Sequence, residues 1–280
     1  MKLMSQIESL VSVIFPVNKV DANTLTALQS VVSQSYRNLE ILVIDTSERS
    51  GSGTFVDFYD LIKSDPRIRH ESLPVNLNLS QSLNHGLKVC RGDFIARMDA
   101  DDICFIDRIQ TQLEYLARNP DVDILGSAIQ IIGGFEGHSF SHGLVITPPT
   151  RDVNLLYWAL EKNPIFHPTV IFRRAVCKDA VYNPRYQRAQ DYELWIRLLR
   201  KYEIDNIEFP LLYYRVHPNQ AGVLGSSDSK YYSTLAQLKH AIWMILRKKG
   251  KTLPTKVFAK RVLTLVKLFL KKKIKSSFLL

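Results

Sequence analysis

Apolar and polar positions alternate along this chain in two rhythms. Residues 10–17 (LVSVIFPV) are apolar almost throughout, which predicts a strand buried on both faces and ending at Pro16. Residues 21–35 carry Leu25, Leu28, Val31 and Val32 at helical spacing. Residues 39–44 (LEILVI) predict a second buried strand, ending in Asp45. A helix over 55–63, a strand over 68–73 and a helix over 79–90 with Ser80 as a possible cap follow. The next apolar run, Phe94, Ile95 and Met98, is bounded by Gly92 and stops at Asp99, Asp101 and Asp102. Strand and helix in alternation predict a parallel sheet with helices on both faces.

The second half is less regular. Residues 107–118 are amphipathic, with Ile109, Leu113 and Leu116 on one side and Asn119-Pro120 as a stop. Residues 122–132 predict a core strand, and 133–149, rich in Gly, His, Ser and Pro, a mobile loop. A helix over 151–162, a strand over 168–172 and a loop over 182–188 precede a strongly amphipathic helix over 189–202, with Asp191 near its start. A last strand over 207–216 ends in His217-Pro218, and 222–229 is linker-like in composition. Trp158, Leu194, Trp195 and Leu198 are expected in the core.

The 280 residues suffice for one large α/β domain with an appendage, expected as a domain over 1–222 and a tail over 223–280. The net charge of +10 is unevenly spread. Residues 229–280 hold 14 Lys or Arg and no Asp or Glu, which leaves 1–228 with 23 basic and 27 acidic residues, a net of −4. Nucleic acid is therefore not an expected partner of the body. Residues 255–275 place Lys256, Lys260, Lys267 and Lys271 on one helical face and Phe258, Val262, Leu265 and Phe269 on another. Such a helix suits an anionic membrane surface, and it equally suits packing on the domain with its lysines in water. No signal peptide is visible, and no run of about 18 uncharged apolar residues predicts a membrane span. Cys90, Cys104 and Cys177 show no metal-ligand spacing; as a sparse, odd set they fit a reducing compartment and small buried positions.

The acidic turn is the candidate for chemistry. Asp99 and Asp101 flank a small Ala100 where an apolar strand stops, the place where α/β sheets meet their ligands. Two carboxylates so placed can converge on Mg²⁺ or Mn²⁺. Taken alone, the spacing equally suits a turn, with Asp102 or Asp107 starting the next helix.

Several pieces occur together in one order: VSVIFPV at 11–17, the stretch 34–45, SLNHGL at 82–87, RMDADDI at 97–103, Asp107-Arg108, DYELWIRL at 191–198 and YRVHPNQ at 214–220. This set resembles the inverting family 2 glycosyltransferases, over roughly residues 9–220. The resemblance implies a GT-A fold, with a Rossmann-like mixed central sheet flanked by helices, here followed by the basic helical tail. It implies that Asp101 binds a divalent cation, Mn²⁺ or Mg²⁺, and that Asp99 meets the ribose or a metal-bound water. Pro16 and Asp45 would line the nucleoside pocket, and Asn84 would cap or bond near it. Asp191 would be the general base that activates an acceptor hydroxyl. His217 resembles a further metal or diphosphate contact of some members, an ordinary loop histidine being the other reading; His167 matches a family-like phrase without an assigned role.

The implied enzyme is a hexosyltransferase type, cytoplasmic and peripheral to the inner face of the cell membrane. It would use a nucleotide-sugar donor, a UDP-sugar foremost, and a glycan or lipid-linked glycan acceptor. Two departures stand out. Thr46 replaces the second acid after the second strand, and Gln190 replaces the Glu before the base, which removes a neighbouring charge. The alternatives are a catalytically silent nucleotide-sugar-binding or scaffold subunit of a glycan-assembly complex, and a nucleotidyltransferase. The latter would carry a Gly-rich basic loop after the first strand, whereas 17–20 (VNKV) has no glycine.

Overall fold

The computed structural model describes residues 8–48, 53–134, 141–217, 227–247 and 263–264. In chain order the strands are β1 (Val11–Val17), β2 (Leu39–Asp45), β3 (Ile68–Ser72), β4 (Phe94–Arg97), β5 (Ile103–Cys104), β6 (Ile124–Gly133), β7 (Val145–Ile146), β8 (Ile171–Arg173) and β9 (Ile204–Val216). The helices are α1 (Ala22–Val32), α2 (Gly53–Ser64), α3 (Leu79–Val89), α4 (Arg108–Arg118), the single turn α5 (Leu155–Trp158), α6 (Gln190–Leu198) and α7 (Ser227–Leu246). One mixed sheet runs β3-β2-β1-β4-β8-β6-β9-β5, with β7 paired to β6. Its first four strands are parallel; β8 is antiparallel to β4 and to β6, and β9 is parallel to β6.

The apolar strands are buried on both faces because helices cover both. Val11, Val13, Phe15, Ile41, Val43 and Met98 meet Leu28, Phe58, Ile109 and Leu113 of α1, α2 and α4 in one core. Ile14, Leu42, Ile44 and Ile95, the alternate positions, meet Leu83 of α3 and Leu194, Trp195 and Leu198 of α6 in the other.

Two polar residues in this apolar sheet fix where β4 begins. The Ser12 hydroxyl donates to Glu40, and Glu40 Oε2 accepts from Arg91 N at 2.8 Å. Gly92 N donates to Ser12 Oγ at 2.7 Å. A Cβ on Gly92 would lie 2.4 Å from Ser12 N and 2.7 Å from Phe94 O, so the turn into β4 is closed to any other residue.

Several sequence expectations are corrected. The cap of α3 is Asn78, not Ser80: Asn78 Oδ1 accepts from Gln81 N at 3.0 Å, and Gln81 Oε1 accepts from Asn78 N at 2.9 Å, a reciprocal capping box. The helix expected over 151–162 shrinks to α5, because Arg151 N donates to Asp205 Oδ1 and Asn154 starts the turn instead. The strand expected over 168–172 opens as a 3₁₀ turn, His167–Thr169, since Pro168 cannot donate to a ladder. β5 and β7 were not foreseen; both are two residues long, and β7 falls where a loop was expected. Trp158 is 37 % exposed with Lys162 over its ring, while Leu194, Trp195 and Leu198 are buried as expected.

At the C-terminal side α7 packs on the domain. Gln237 Nε2 donates to the Tyr192 hydroxyl at 2.8 Å, and Ala236 joins Tyr186, Tyr192 and Ile196 in a small core. The basic helix expected over 255–275 lies outside the described residues apart from Leu263 and Thr264. Among the described residues no helix is long and apolar enough to cross a membrane. Cys90 and Cys104 are buried free thiols and Cys177 is half-buried.

Candidate active site

The site opens where β1 and β4 part. Ile14 pairs with Arg97, the last register pair between them, and Met98 N still donates to Ile14 O at 3.1 Å. Beyond this point Pro16 continues β1 beside β2 alone. A proline, having no N–H, is tolerated in this central strand because its neighbour on that side has turned away. The chain that turned away is Asp99–Asp102, which crosses to β5 and so to the far end of β9.

β9 holds that turn in place. Arg215 N donates to Asp102 Oδ1 at 2.8 Å, and Arg215 Nε donates to Asp101 O at 2.8 Å. Two residues on, His217 Nε2 lies 3.1 Å from Asp101 Oδ2. Asp99, Asp101 and Asp102 each place a ligand atom within 4.8 Å of the others. Asp102 is fully buried, and its Oδ2 has no hydrogen-bond partner among the described residues. Burial, then the charges of Asp101 and Asp99, push its carboxyl well above the ordinary range.

This donor set fits a hard divalent cation. Oxygen ligands dominate, and a buried carboxylate oxygen is left without a partner. The 3.1 Å between His217 Nε2 and Asp101 Oδ2 is a hydrogen-bond distance, so the histidine is tied to the three acids through Asp101.

Behind the acids stands a cation that sequence reasoning passed over. Arg97, on β4, is 3 % exposed and grips Asp99 with both terminal nitrogens. Burial raises the Asp99 carboxyl, Arg97 opposes it, and the Asp101 charge adds to burial; the balance is about 6. Arg97 also acts on Asp191, at the start of α6. Burial pushes Asp191 up, against the N–H of Tyr192, the Arg97 charge and the Asn163 side chain, whose Nδ2 donates to Asp191 Oδ2 at 2.8 Å. The residue that enters α6, Ala189, has φ +54°, the only positive φ of a non-glycine residue among those described.

The nucleoside end of the site was expected at Pro16, Asp45 and Asn84. Asp45 is buried, and its oxygens are occupied: Oδ1 accepts from Ser47 N and Oγ at 2.8 and 2.7 Å, and Oδ2 meets Tyr59 and, at 3.0 Å, His70. Burial alone would raise this carboxyl, but the hydrogen bonds from His70, Tyr59 and Ser47 outweigh it and bring it to about 2. The Thr46 hydroxyl donates to Val17 O at 3.1 Å and is likewise buried. Asn84 clamps a different element: its Nδ2 donates to Tyr182 O at 2.9 Å and its Oδ1 accepts from Tyr182 N at 2.8 Å. Both ends of the amide are spent on the loop before α6.

Residues 12–181 match the family described as "Glycosyl transferase family 2". The chain belongs to that family. An uncharacterized glycosyltransferase of Haemophilus influenzae is 33 % identical over 217 residues, covering 75 % of this chain and 67 % of the relative. The O-antigen biosynthesis glycosyltransferase WbnJ of Escherichia coli is 28 % identical over 244 residues, covering 84 % and 91 %. Residues 1–349 of S. aureus TarS, solved in complex with UDP-GlcNAc, align with a TM-score of 0.65 at 15 % identity, over 92 % of this chain and 71 % of that one, which shows a shared GT-A fold.

The matched segment of this glycosyltransferase contains Asp99, Asp101 and Asn163 and stops short of Asp191 and His217. β9 brings His217 to Asp101, and Asp191 at the start of α6 feels the Arg97 charge. Other groups near this glycosyltransferase site had no role assigned from sequence. The Tyr182 hydroxyl lies 2.7 Å from His167 Nε2, and burial together with Arg97 holds His167 well below its usual range, hence neutral. Burial raises the phenol of Tyr214 of β9, and the charges of Asp102, Asp99, Asp101 and Asp191 add to it. Arg97 stands as a charged residue inside the apolar run FIAR and opens RMDADDI, while His167 and Tyr214 fall within family-like phrases.

Proposed function

We propose that this glycosyltransferase transfers a sugar from a nucleotide-sugar donor, a UDP-sugar foremost, to a hydroxyl of a lipid-linked surface glycan, inverting the anomeric carbon. One observation carries the reading. A metal-competent acid cluster and a separate carboxylate of raised pKa, Asp191, both lie within electrostatic reach of one buried arginine, Arg97. The UDP-GlcNAc complex of TarS and the O-antigen assignment of WbnJ support the donor and acceptor classes.

Asp99, Asp101, Asp102 and His217 would hold Mn²⁺ or Mg²⁺, which when bound supplies countercharge for the departing nucleoside diphosphate. Pro16, Asp45 and Thr46, at the ends of β1 and β2, would frame the nucleoside. Asp191 accepts the proton of the acceptor hydroxyl as that oxygen bonds to the anomeric carbon and the bond to the diphosphate oxygen breaks. Its raised pKa makes it a stronger base than an exposed carboxylate. The basic face expected over 255–275 would rest on anionic headgroups at the cytoplasmic side of the membrane, where a lipid-linked acceptor is presented.

The test is a thermal-shift screen of UDP, GDP, TDP and CMP, each with Mn²⁺ and with EDTA, on wild type and Asp101→Ala. A ligand at 100 times its Kd adds about 2.7 kcal/mol to the native state, a rise of roughly 5 °C for a chain of this size. Stabilisation by one nucleoside diphosphate, dependent on metal and lost in the variant, supports the donor site and names the base. No shift with any nucleotide overturns it. Asp191→Asn is expected to keep the nucleotide shift and to lose nearly all transfer, leaving a measurable remainder.

A further inference from the structure

The segment facing the base, from Asn163 to Val170, is fastened to four surrounding elements. Pro164 O accepts from Asn206 Nδ2 of β9 at 3.0 Å, and the same nitrogen donates to Pro149 O at 2.7 Å. Thr169 Oγ1 accepts from Ser127 N of β6 at 3.0 Å, Thr169 O from Gln112 Nε2 of α4 at 2.7 Å, and Val170 O from Arg97 N of β4 at 3.0 Å. The fit is closest over Gly126 of β6. A Cβ there would lie 2.3 Å from Asn206 Oδ1 and 2.5 Å from Ile165 Cγ1. Asn163 is thus presented from a backing that has no room to move inward.

Asn163 meets Asp191 with its amide in one orientation. An ionised carboxylate only accepts, so the amide must turn its NH₂ toward Asp191 Oδ2, 2.8 Å away. Its own Oδ1 then points elsewhere, buried and without a partner among the described residues. An unpaired buried carbonyl is destabilising, and the bond to Asp191 is the compensating contact. On the other side Asp191 follows a left-handed, non-glycine Ala189. Asn163 thus grips a helix start that its own backbone holds under strain.

We propose that Asn163 is the positioning residue of Asp191, fixing one carboxylate oxygen so that an acceptor hydroxyl meets the carboxylate in a single orientation. The inference rests on Asp191 being the base. It differs from a purely structural role, in which Asn163 merely ties its loop to α6.

The test is a double-mutant cycle on the full chain, with donor KM, kcat and the UDP-dependent thermal shift as readouts. Asn163→Ala is expected to lower kcat on the order of 100-fold while leaving donor KM and the thermal shift as in wild type. In an Asp191→Asn background the same change is expected to add nothing, because the group it positions is already gone. Asn163→Ser, whose shorter hydroxyl reaches Asp191 only through a water, is expected to fall between Asn163→Ala and wild type, and it runs the cycle if Asn163→Ala does not fold. An equal loss in both backgrounds, or no loss in wild type, overturns the positioning role while leaving the base in place. Wild-type transfer by Asp191→Asn overturns the base itself, and the two failures are therefore told apart.

Discussion

His217 Nε2 sits 3.1 Å from Asp101 Oδ2 across 116 residues of chain. The contact exists because β9 is long: it leaves the core beside β6 and ends past the acidic turn, with Arg215 bonded to that turn through both its backbone and its side chain. The imidazole is carried to the acid cluster by a strand that starts at Ile204, beside Ile124 of β6.

Removal of either partner should act on metal before it acts on sugar. His217→Ala is expected to raise the Mn²⁺ concentration for half-maximal transfer on the order of 10-fold, with most of kcat recovered at saturating metal. Asp101→Ala is expected to abolish metal-dependent transfer at any Mn²⁺ concentration. A titration of activity against free Mn²⁺ checks both, and an unchanged midpoint in His217→Ala would remove the histidine from the site.

The turn into β4 should be the most sensitive backbone position behind the cluster. Gly92→Ala puts a methyl 2.4 Å from Ser12 N of β1 and 2.8 Å from Leu10 O just before it, both backbone atoms that cannot yield. A loss of about 3 kcal/mol is expected in urea unfolding, at the upper end for overpacked sites. A loss under about 0.5 kcal/mol, ordinary for a surface change, would contradict the fit described.

The parts of this architecture readable in sequence were those with local signatures. Apolar runs marked β1, β2 and β4, and acids at their ends marked Asp45, Asp99 and Asp101. Helical spacing marked α6, and the resemblance of DYELWIRL singled out Asp191 at its start. What escaped was made by distant pairs. Asn163 reaches Asp191 across 28 residues, and Asn84 reaches Tyr182 across 98. The helix expected over 151–162 looks sound locally and fails because Asp205, 54 residues away, captures Arg151 N. Ser80 and Asn78 are equally good caps by type, and only the reciprocal bond from Gln81 decides between them. Asp45 shows the converse case: its position at a strand end was legible, whereas its engagement by Tyr59 and His70 depends on α2 and β3 folding over it.

Asp45 also sets an acid-stability prediction. Its carboxyl is brought to about 2 in the folded protein, against about 3.9 in an unfolded chain. A depressed carboxylate stabilises fully above the unfolded value and loses that contribution as pH falls through the folded one. The window is therefore between about pH 4 and pH 2. The contribution at neutral pH is about 2 kcal/mol. Asp45→Asn should be less stable than wild type at pH 7 by an amount of that order, and the gap should close toward pH 2. Urea unfolding of both proteins across this range checks it; a gap independent of pH would assign the loss to packing rather than to charge.

The pH dependence of transfer tests the base in a different range. Burial lifts Asp191 above the ordinary carboxylate value of about 3.9, against the pull of the Tyr192 N–H, the Arg97 charge and Asn163. A base must be ionised to act, so kcat should fall as pH drops through this raised value, and the acid limb should lie above pH 4. Tyr182 and Tyr214 face the same carboxylate, but their phenols are raised and stay neutral through this range. Arg97→Lys keeps a cation but loses the two-pronged grip on Asp99, so it should disturb metal dependence while leaving an acid limb in place. Asp191→Glu, if it retains any transfer, should keep an acid limb, whereas Asp191→Asn should show residual transfer without one. An acid limb of normal shape and position in Asp191→Asn would assign the proton to another group and remove Asp191 from the reaction.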